Sequence, residues 1–168
     1  MGVVLGIDPG THRTGYAVAD GAPGRPVARE FGVITTPPGM PAARRLRTIY
    51  ERVRDLIQRY EPEAAAVERL FLGQNAPSAL SVGQARGVVL LALDQAGVAI
   101  EELTPSAVKT TIVGYGRAEK AQVQEMVRML FRLEAVPRPD DAADALALAV
   151  CALGRASLPA VVRGGGRP

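Results

Sequence analysis

Asp8 closes a short apolar run, Val3-Val4-Leu5-Gly6-Ile7, and Pro9 follows it at once. Proline supplies no amide donor, so a strand over that run has to stop at the aspartate, and the carboxylate belongs at a strand terminus. Glu68 repeats the arrangement after Ala64-Ala65-Ala66-Val67, whose lack of polar alternation marks a parallel strand covered on both faces. If the two strands run parallel, both acids lie outside the carboxyl ends of one sheet, where ligands gather. A third acidic group stands in Pro139-Asp140-Asp141-Ala142-Ala143-Asp144-Ala145-Leu146-Ala147, the first turns of a helix. Spacings of i, i+3 and i, i+4 put Asp141 with Asp144, and equally Asp140 with Asp144, on one helix face. Helix capping and the helix dipole account for at least one of the first two. They do not account for Asp144, one turn into an otherwise apolar helix.

Carboxylates gathered in this way repel one another and raise each other's pKa unless a cation neutralises them. A donor set made only of oxygens favours Mg²⁺ or Mn²⁺ over Zn²⁺. His12 is the single histidine and cannot build a zinc site by itself; its place in a turn reads as a surface residue. Two hard ions roughly 4 Å apart would lower the pKa of an attacking water and stabilise a leaving 3′ oxygen, which is phosphodiester hydrolysis. The acids therefore point to a metal-dependent nuclease.

These acids need elements to carry them. Val3-Val4-Leu5-Gly6-Ile7, Gly15-Tyr16-Ala17-Val18-Ala19 and Glu30-Phe31-Gly32-Val33-Ile34-Thr35 read as three strands of an antiparallel meander separated by Gly- and Pro-rich turns. Leu46, Ile49, Tyr50, Val53, Leu56, Ile57 and Tyr60 form an apolar stripe that predicts a helix from about Ala42 to Tyr60, with Arg44, Arg45, Arg47, Arg52 and Arg54 on a solvated face. A Gly/Asn/Pro loop over residues 73–77 leads to a long helix ending near Ala96, then a short strand near Ile100-Glu101-Glu102-Leu103. Two helices and a last Ala/Leu-rich helix follow. The expected fold class is α/β: a five-stranded mixed sheet, three antiparallel N-terminal strands plus two parallel ones, with helices on both faces.

The chain has 168 residues, enough for one core. We expect one domain over residues 1–156 and a flexible C-terminal tail over 157–168, which ends Gly164-Gly165-Gly166-Arg167-Pro168. No apolar run approaches the roughly 18 to 20 residues that span a bilayer, and the N-terminus lacks a signal-peptide pattern. A cytoplasmic protein with no membrane partner is expected. Cys151, the single cysteine, sits in an apolar run and reads as a packing residue. The net charge of +3 suits a polyanionic partner without requiring one. Only two of the 20 basic residues are lysines, Lys109 and Lys120, both in one short stretch.

Several blocks now line up: Gly6-Ile7-Asp8-Pro9-Gly10 with Thr14-Gly15-Tyr16, Ala66-Val67-Glu68 with Phe71, Gln84-Ala85-Arg86-Gly87, Val108-Lys109, Val113-Gly114-Tyr115-Gly116-Arg117-Ala118-Glu119-Lys120, and Asp141-Ala142-Ala143-Asp144-Ala145-Leu146-Ala147. In order and spacing, from about residue 3 to 153, the chain resembles the RuvC family of bacterial Holliday-junction resolvases, crossover junction endodeoxyribonucleases with a ribonuclease-H-like fold. The resemblance implies that Asp8, Glu68, Asp141 and Asp144 form the catalytic, metal-binding set for two Mg²⁺ ions, with Mn²⁺ as substitute. Asp141 is preferred over Asp140 because it keeps the family's spacing to Asp144. The same resemblance implies that Lys109 and Lys120 lie near DNA and the scissile phosphate and that Phe71 stacks on bases at the junction centre; Arg69, Arg86 and Arg117 are further candidates for DNA contact. It further implies a homodimer acting on four-way junction DNA during recombination and repair, accompanied by the branch-migration proteins RuvA and RuvB. Thr11-His12-Arg13, Arg69-Leu70 and the extra acid Asp140 depart from the commonest pattern. Asp8-Pro9-Gly10-Thr11 and Gly15 also resemble the first phosphate loop of actin-like ATPases, but those enzymes bind nucleotide between two such domains, and this chain has room for one.

Overall fold

The structure is a computed structural model that describes residues 2–69 and 76–156. Phe71 and the expected tail over 157–168 lie outside the described residues. Five strands, β1 (Val4–Asp8), β2 (Arg13–Ala22), β3 (Arg25–Thr35), β4 (Ala64–Glu68) and β5 (Ala99–Leu103), form one sheet in the order β3-β2-β1-β4-β5. β1, β2 and β3 pair antiparallel, whereas β4 lies parallel to both β1 and β5. This is the mixed sheet expected of a ribonuclease-H-like fold. Among the described residues five helices complete it: α1 (Ala42–Tyr60), α2 (Ala76–Gln95), α3 (Pro105–Val113), α4 (Lys120–Leu130) and α5 (Asp140–Ala156).

Strand alternation sorts the core into two layers. Leu5, Ile7, Tyr16, Val18, Ala65 and Val67 face α1 and α2, where Ile49, Val53, Leu56, Ile57, Val89 and Leu93 meet them. Val4, Ala17, Ala19 and Ala66 face the other way, against α5, α3 and α4. Asp8 and Glu68 share the parity of Val4 and Ala66, so both carboxylates belong to the α5 side.

The β2–β3 hairpin is longer than the sequence suggests. Strands were expected over 15–19 and 30–35, yet pairing continues from Arg13↔Thr35 to Ala22↔Arg25 around a tight turn at Pro23-Gly24. Gly21, at φ 90°, and Pro26 look like punctuation in the sequence. Pro26 is tolerated because β3 is an edge strand, where a missing amide donor disrupts no further ladder, and Gly21, opposite it in β2, takes a positive φ that costs a residue without Cβ nothing. Cys151 is buried, as expected, and desolvation pushes its thiol pKa up to about 11.

Candidate active site

The first layer of the site is set by how closely α5 approaches the sheet. A Cβ placed on Gly6 would stand 2.0 Å from the Ala145 carbonyl oxygen and 2.4 Å from the Ala149 nitrogen. One placed on Gly15 would stand 2.0 Å from the Asp141 carbonyl oxygen. Gly15 is the partner of Asp8 across the β1–β2 ladder, and Gly6 is the partner of Ala17. The helix contributes Ala142, Ala145 and Ala149, all buried, to the same interface. Small residues on both sides thus bring helix backbone down onto strand backbone, and the first two turns of α5 arrive beside the carboxyl ends of β1 and β4.

The turn after Asp8 is pinned by Thr14, which is fully buried. Its hydroxyl donates to the Gly10 carbonyl at 3.0 Å and accepts from the Gly10 amide at 3.3 Å. Thr14→Val keeps the shape and leaves both Gly10 groups unmatched, so unfolding by denaturant should show a loss of about 1–2 kcal/mol. A change below about 0.3 kcal/mol would mean that the turn is held by something else.

Asp8 and Glu68 hydrogen-bond to each other at the ends of their adjacent parallel strands. Burial, then the field of Glu68 and its hydrogen bond, then the fields of Asp144 and Asp141, push the Asp8 carboxyl up to about 9. Glu68 also rises, chiefly by burial and by the field of Asp144, against the opposing hydrogen bond from Asp8 and the nearby Lys120. The two share a proton, with Asp8 as donor. Asp144 is raised by burial although Lys120 opposes the shift.

Two cations touch the other two acids. Lys120, the first residue of α4, places Nζ 3.2 Å from Asp144 Oδ2 and 3.4 Å from Asp140 Oδ2. Arg13, at the start of β2, brings Nε 3.2 Å from Asp141 Oδ2. That contact is an ion pair without hydrogen-bond alignment, because the same oxygen is buried and finds no donor. Asp140 turns outward to Arg138 and Lys120. Asp141 is among the charges that act most on Asp8, whereas the charge of Asp140 acts on Asp144. Rotation of α5 thus directs Asp141, not Asp140, toward Asp8.

A cleft beside these acids is lined by Glu68, Asp144, Lys109, Lys120, Val108 and Leu148, among others. Lys109 and Lys120 therefore open onto the same space as two of the acids. Arg117 is exposed in the turn between α3 and α4, and Arg69 is exposed directly after Glu68, its amide donating to the Leu103 carbonyl at 2.7 Å. Arg86, on α2, is ion-paired with Glu102 of β5 and takes no part in the acid cluster. His12 is exposed, and its carbonyl accepts the Thr36 amide. Sequence reasoning missed Arg13, Gly6 and Gly15 as site-building residues; a glycine inside each strand was the available signal for the last two.

The donor set fits a hard divalent cation on three counts. All its donors are carboxylate oxygens, three of the acids are pushed toward neutrality by one another and by burial, and Asp141 keeps a buried oxygen without a donor. The side chains do not stand as a closed cage, since among the described residues no three acidic, His or Cys groups converge tightly enough to hold an ion as they are. Asp144 leans toward Lys120 and Asp141 toward Arg13.

Against known proteins, the family described as crossover junction endodeoxyribonuclease RuvC matches residues 4–152, which take in all four acids. The chain belongs to this family. A RuvC from Chloroflexus aggregans is 54% identical over 147 residues, covering 88% of this chain and 90% of that protein. Among solved structures, Thermus thermophilus RuvC is 39% identical with a TM-score of 0.81, covering 88% of this chain and 91% of that one. The same protein in complex with a Holliday junction substrate is 38% identical with a TM-score of 0.85, covering 98% and 97%. The RuvC likeness thus spans both the sheet that carries Asp8 and Glu68 and the helix that carries Asp141 and Asp144.

Proposed function

We propose that the chain is a structure-selective endonuclease that resolves Holliday junctions by metal-dependent hydrolysis of opposed strands. The observation that carries this reading is the grouping of Asp8, Glu68, Asp141 and Asp144 at the carboxyl ends of β1 and β4 in a member of the RuvC family. Asp8, Glu68, Asp141 and Asp144 would hold Mg²⁺, with Mn²⁺ as substitute and two ions per site. When bound, such ions lower the pKa of an attacking water and stabilise the leaving 3′ oxygen.

The chain's own residues do the rest. Asp8 and Glu68 hold one proton between them, and to serve as ligands both would have to be ionised, the proton passing to solvent. Lys109 and Lys120 present positive charge along the cleft where a strand's phosphate would lie, and Arg117 and Arg69 extend it at the rim. Phe71, three residues beyond Glu68, is assigned to stacking at the junction centre. A homodimer places two such sites for symmetric nicks on a two-fold substrate. Leu80 and Leu91 support that assembly, since both are exposed and lie on one face of α2 at helical spacing. RuvA and RuvB are the partners expected, in the cytoplasm; no described helix is long and apolar enough to cross a membrane.

The test is cleavage of a mobile four-way junction beside the matching linear duplex, each with Mg²⁺, Mn²⁺ or EDTA. Paired symmetric nicks that need metal and appear only on the junction are expected. Binding without cutting in any metal would reduce the chain to a junction-binding module, and equal cutting of the duplex would remove the structure selectivity.

A further inference from the structure

Lys120 is shared between two carboxylates of unequal standing. Its Nζ lies 3.2 Å from Asp144 Oδ2 and 3.4 Å from Asp140 Oδ2, and an ammonium with three donors can serve both. Asp144 faces inward, toward Glu68 and Asp8, which feel its field. Asp140 faces outward, toward Arg138, and its charge reaches the cluster through Asp144. It is paired from its own side with Arg138, whose Nη1 meets Oδ1, and Gln124, one turn along α4 from Lys120, stands beside it. The Gln124 amide nitrogen is buried and completes no well-aligned hydrogen bond, although the side chain stands close enough to favour the charged form of Asp140.

We propose that Asp140 is a positioning residue that keeps Lys120 at the rim of the site and so leaves Asp144 free to bind the divalent ion. The proposal rests on the reading of Asp144 as a metal ligand. A lysine whose only partner is Asp144 competes with a divalent cation for the same oxygen, by direct occupation and by charge. A lysine with a second carboxylate 3.4 Å away, itself paired with Arg138, retains a partner when Asp144 is taken, and its remaining donors stay beside the cleft where phosphate would lie. The carboxylate at 140 is thereby neither a spare ligand nor only a helix-start residue. It sets how strongly Lys120 opposes metal loading.

Binding of Mn²⁺ alone to the DNA-free protein, followed by electron paramagnetic resonance, separates these roles without reference to activity. Asp140→Asn retains a residue favoured at helix starts and removes the second partner of Lys120. It should weaken Mn²⁺ binding about tenfold when Lys120 is present and only about twofold in a Lys120→Ala background, a coupling of roughly fivefold. Equal losses in the two backgrounds would overturn the proposal, because Asp140 would then act through its own charge or as a ligand. Asp144→Asn is the control for the underlying reading: it should abolish or severely weaken Mn²⁺ binding, and unchanged binding there would sink both. Should Asp140→Asn fold poorly by circular dichroism, Asp140→Ser makes the same comparison with the same two outcomes.

Discussion

Asp8→Asn is expected to abolish junction cleavage, by about 10³-fold or more, while leaving junction binding close to that of the unaltered protein. The asparagine keeps the shape and a hydrogen bond to Glu68 but removes the negative charge that a divalent ion would meet. The same change should stabilise the metal-free protein. Asp8 holds its proton in the folded chain up to about pH 9, against 3.8 for an ordinary aspartate. Its contribution to stability is therefore fully present below the unfolded value, and it is lost as pH rises toward 9. Asparagine has no such dependence. Thermal melts in EDTA should show the variant gaining about 1–3 kcal/mol at pH 8, with the gain vanishing toward pH 4. Each kcal/mol is worth roughly 2–4 °C in a domain of this size. A gain that is flat with pH would show that Asp8 is not the group that titrates, and cleavage at wild-type rates would remove it from the chemistry.

Gly6→Ala should be the most damaging substitution outside the acids. Its methyl would collide with the Ala145 carbonyl and the Ala149 amide, both helix backbone that cannot turn aside as a side chain could. Moving α5 away separates Gly6 and Ala66 from the buried alanines that cover them and carries Asp141 and Asp144 away from Asp8 and Glu68. The expected cost is roughly 3–5 kcal/mol, at the upper end for a single added methyl. Gly15→Ala acts at the other end of the same contact, against the Asp141 carbonyl. It should lower activity by more than its loss of stability explains, because the displaced residue is one of the acids proposed to hold the metal. Denaturant titrations and single-turnover cleavage at saturating protein would measure the two effects separately. If Gly6→Ala melted within about 1 °C of the unaltered protein, the close approach of α5 to β1 would be wrong.

These two variants also mark how far local pattern reaches. Asp8 and Glu68 could be placed at strand ends from a few neighbouring residues, since Pro9 ends one strand and an uninterrupted apolar run leads to the other. The span of α1 followed from its apolar stripe, and the mixed character of the sheet, three antiparallel strands plus two parallel ones, from the succession of elements. Motif spacing then named the family. The choice between Asp140 and Asp141 needed spacing borrowed from relatives, because both occupy the first turn of one helix and capping explains either.

That choice has a physical basis in the rotation of α5 about its own axis. Gly6 and Gly15 set it, 126 and more residues away in the chain, by admitting helix backbone at two points. The pairing of Arg13 with Asp141 and of Lys120 with Asp144 is of the same kind, since each joins residues that meet only after β2, α4 and α5 have packed. So is the full length of the β2–β3 hairpin: Pro26 reads as a strand breaker until β3 is found at the sheet edge, where its missing donor faces no neighbour. Local preferences act over a few residues and settle which elements form. Which side chains converge is settled by long-range packing, and in this chain the contact that decides it is made by residues with no side chain at all.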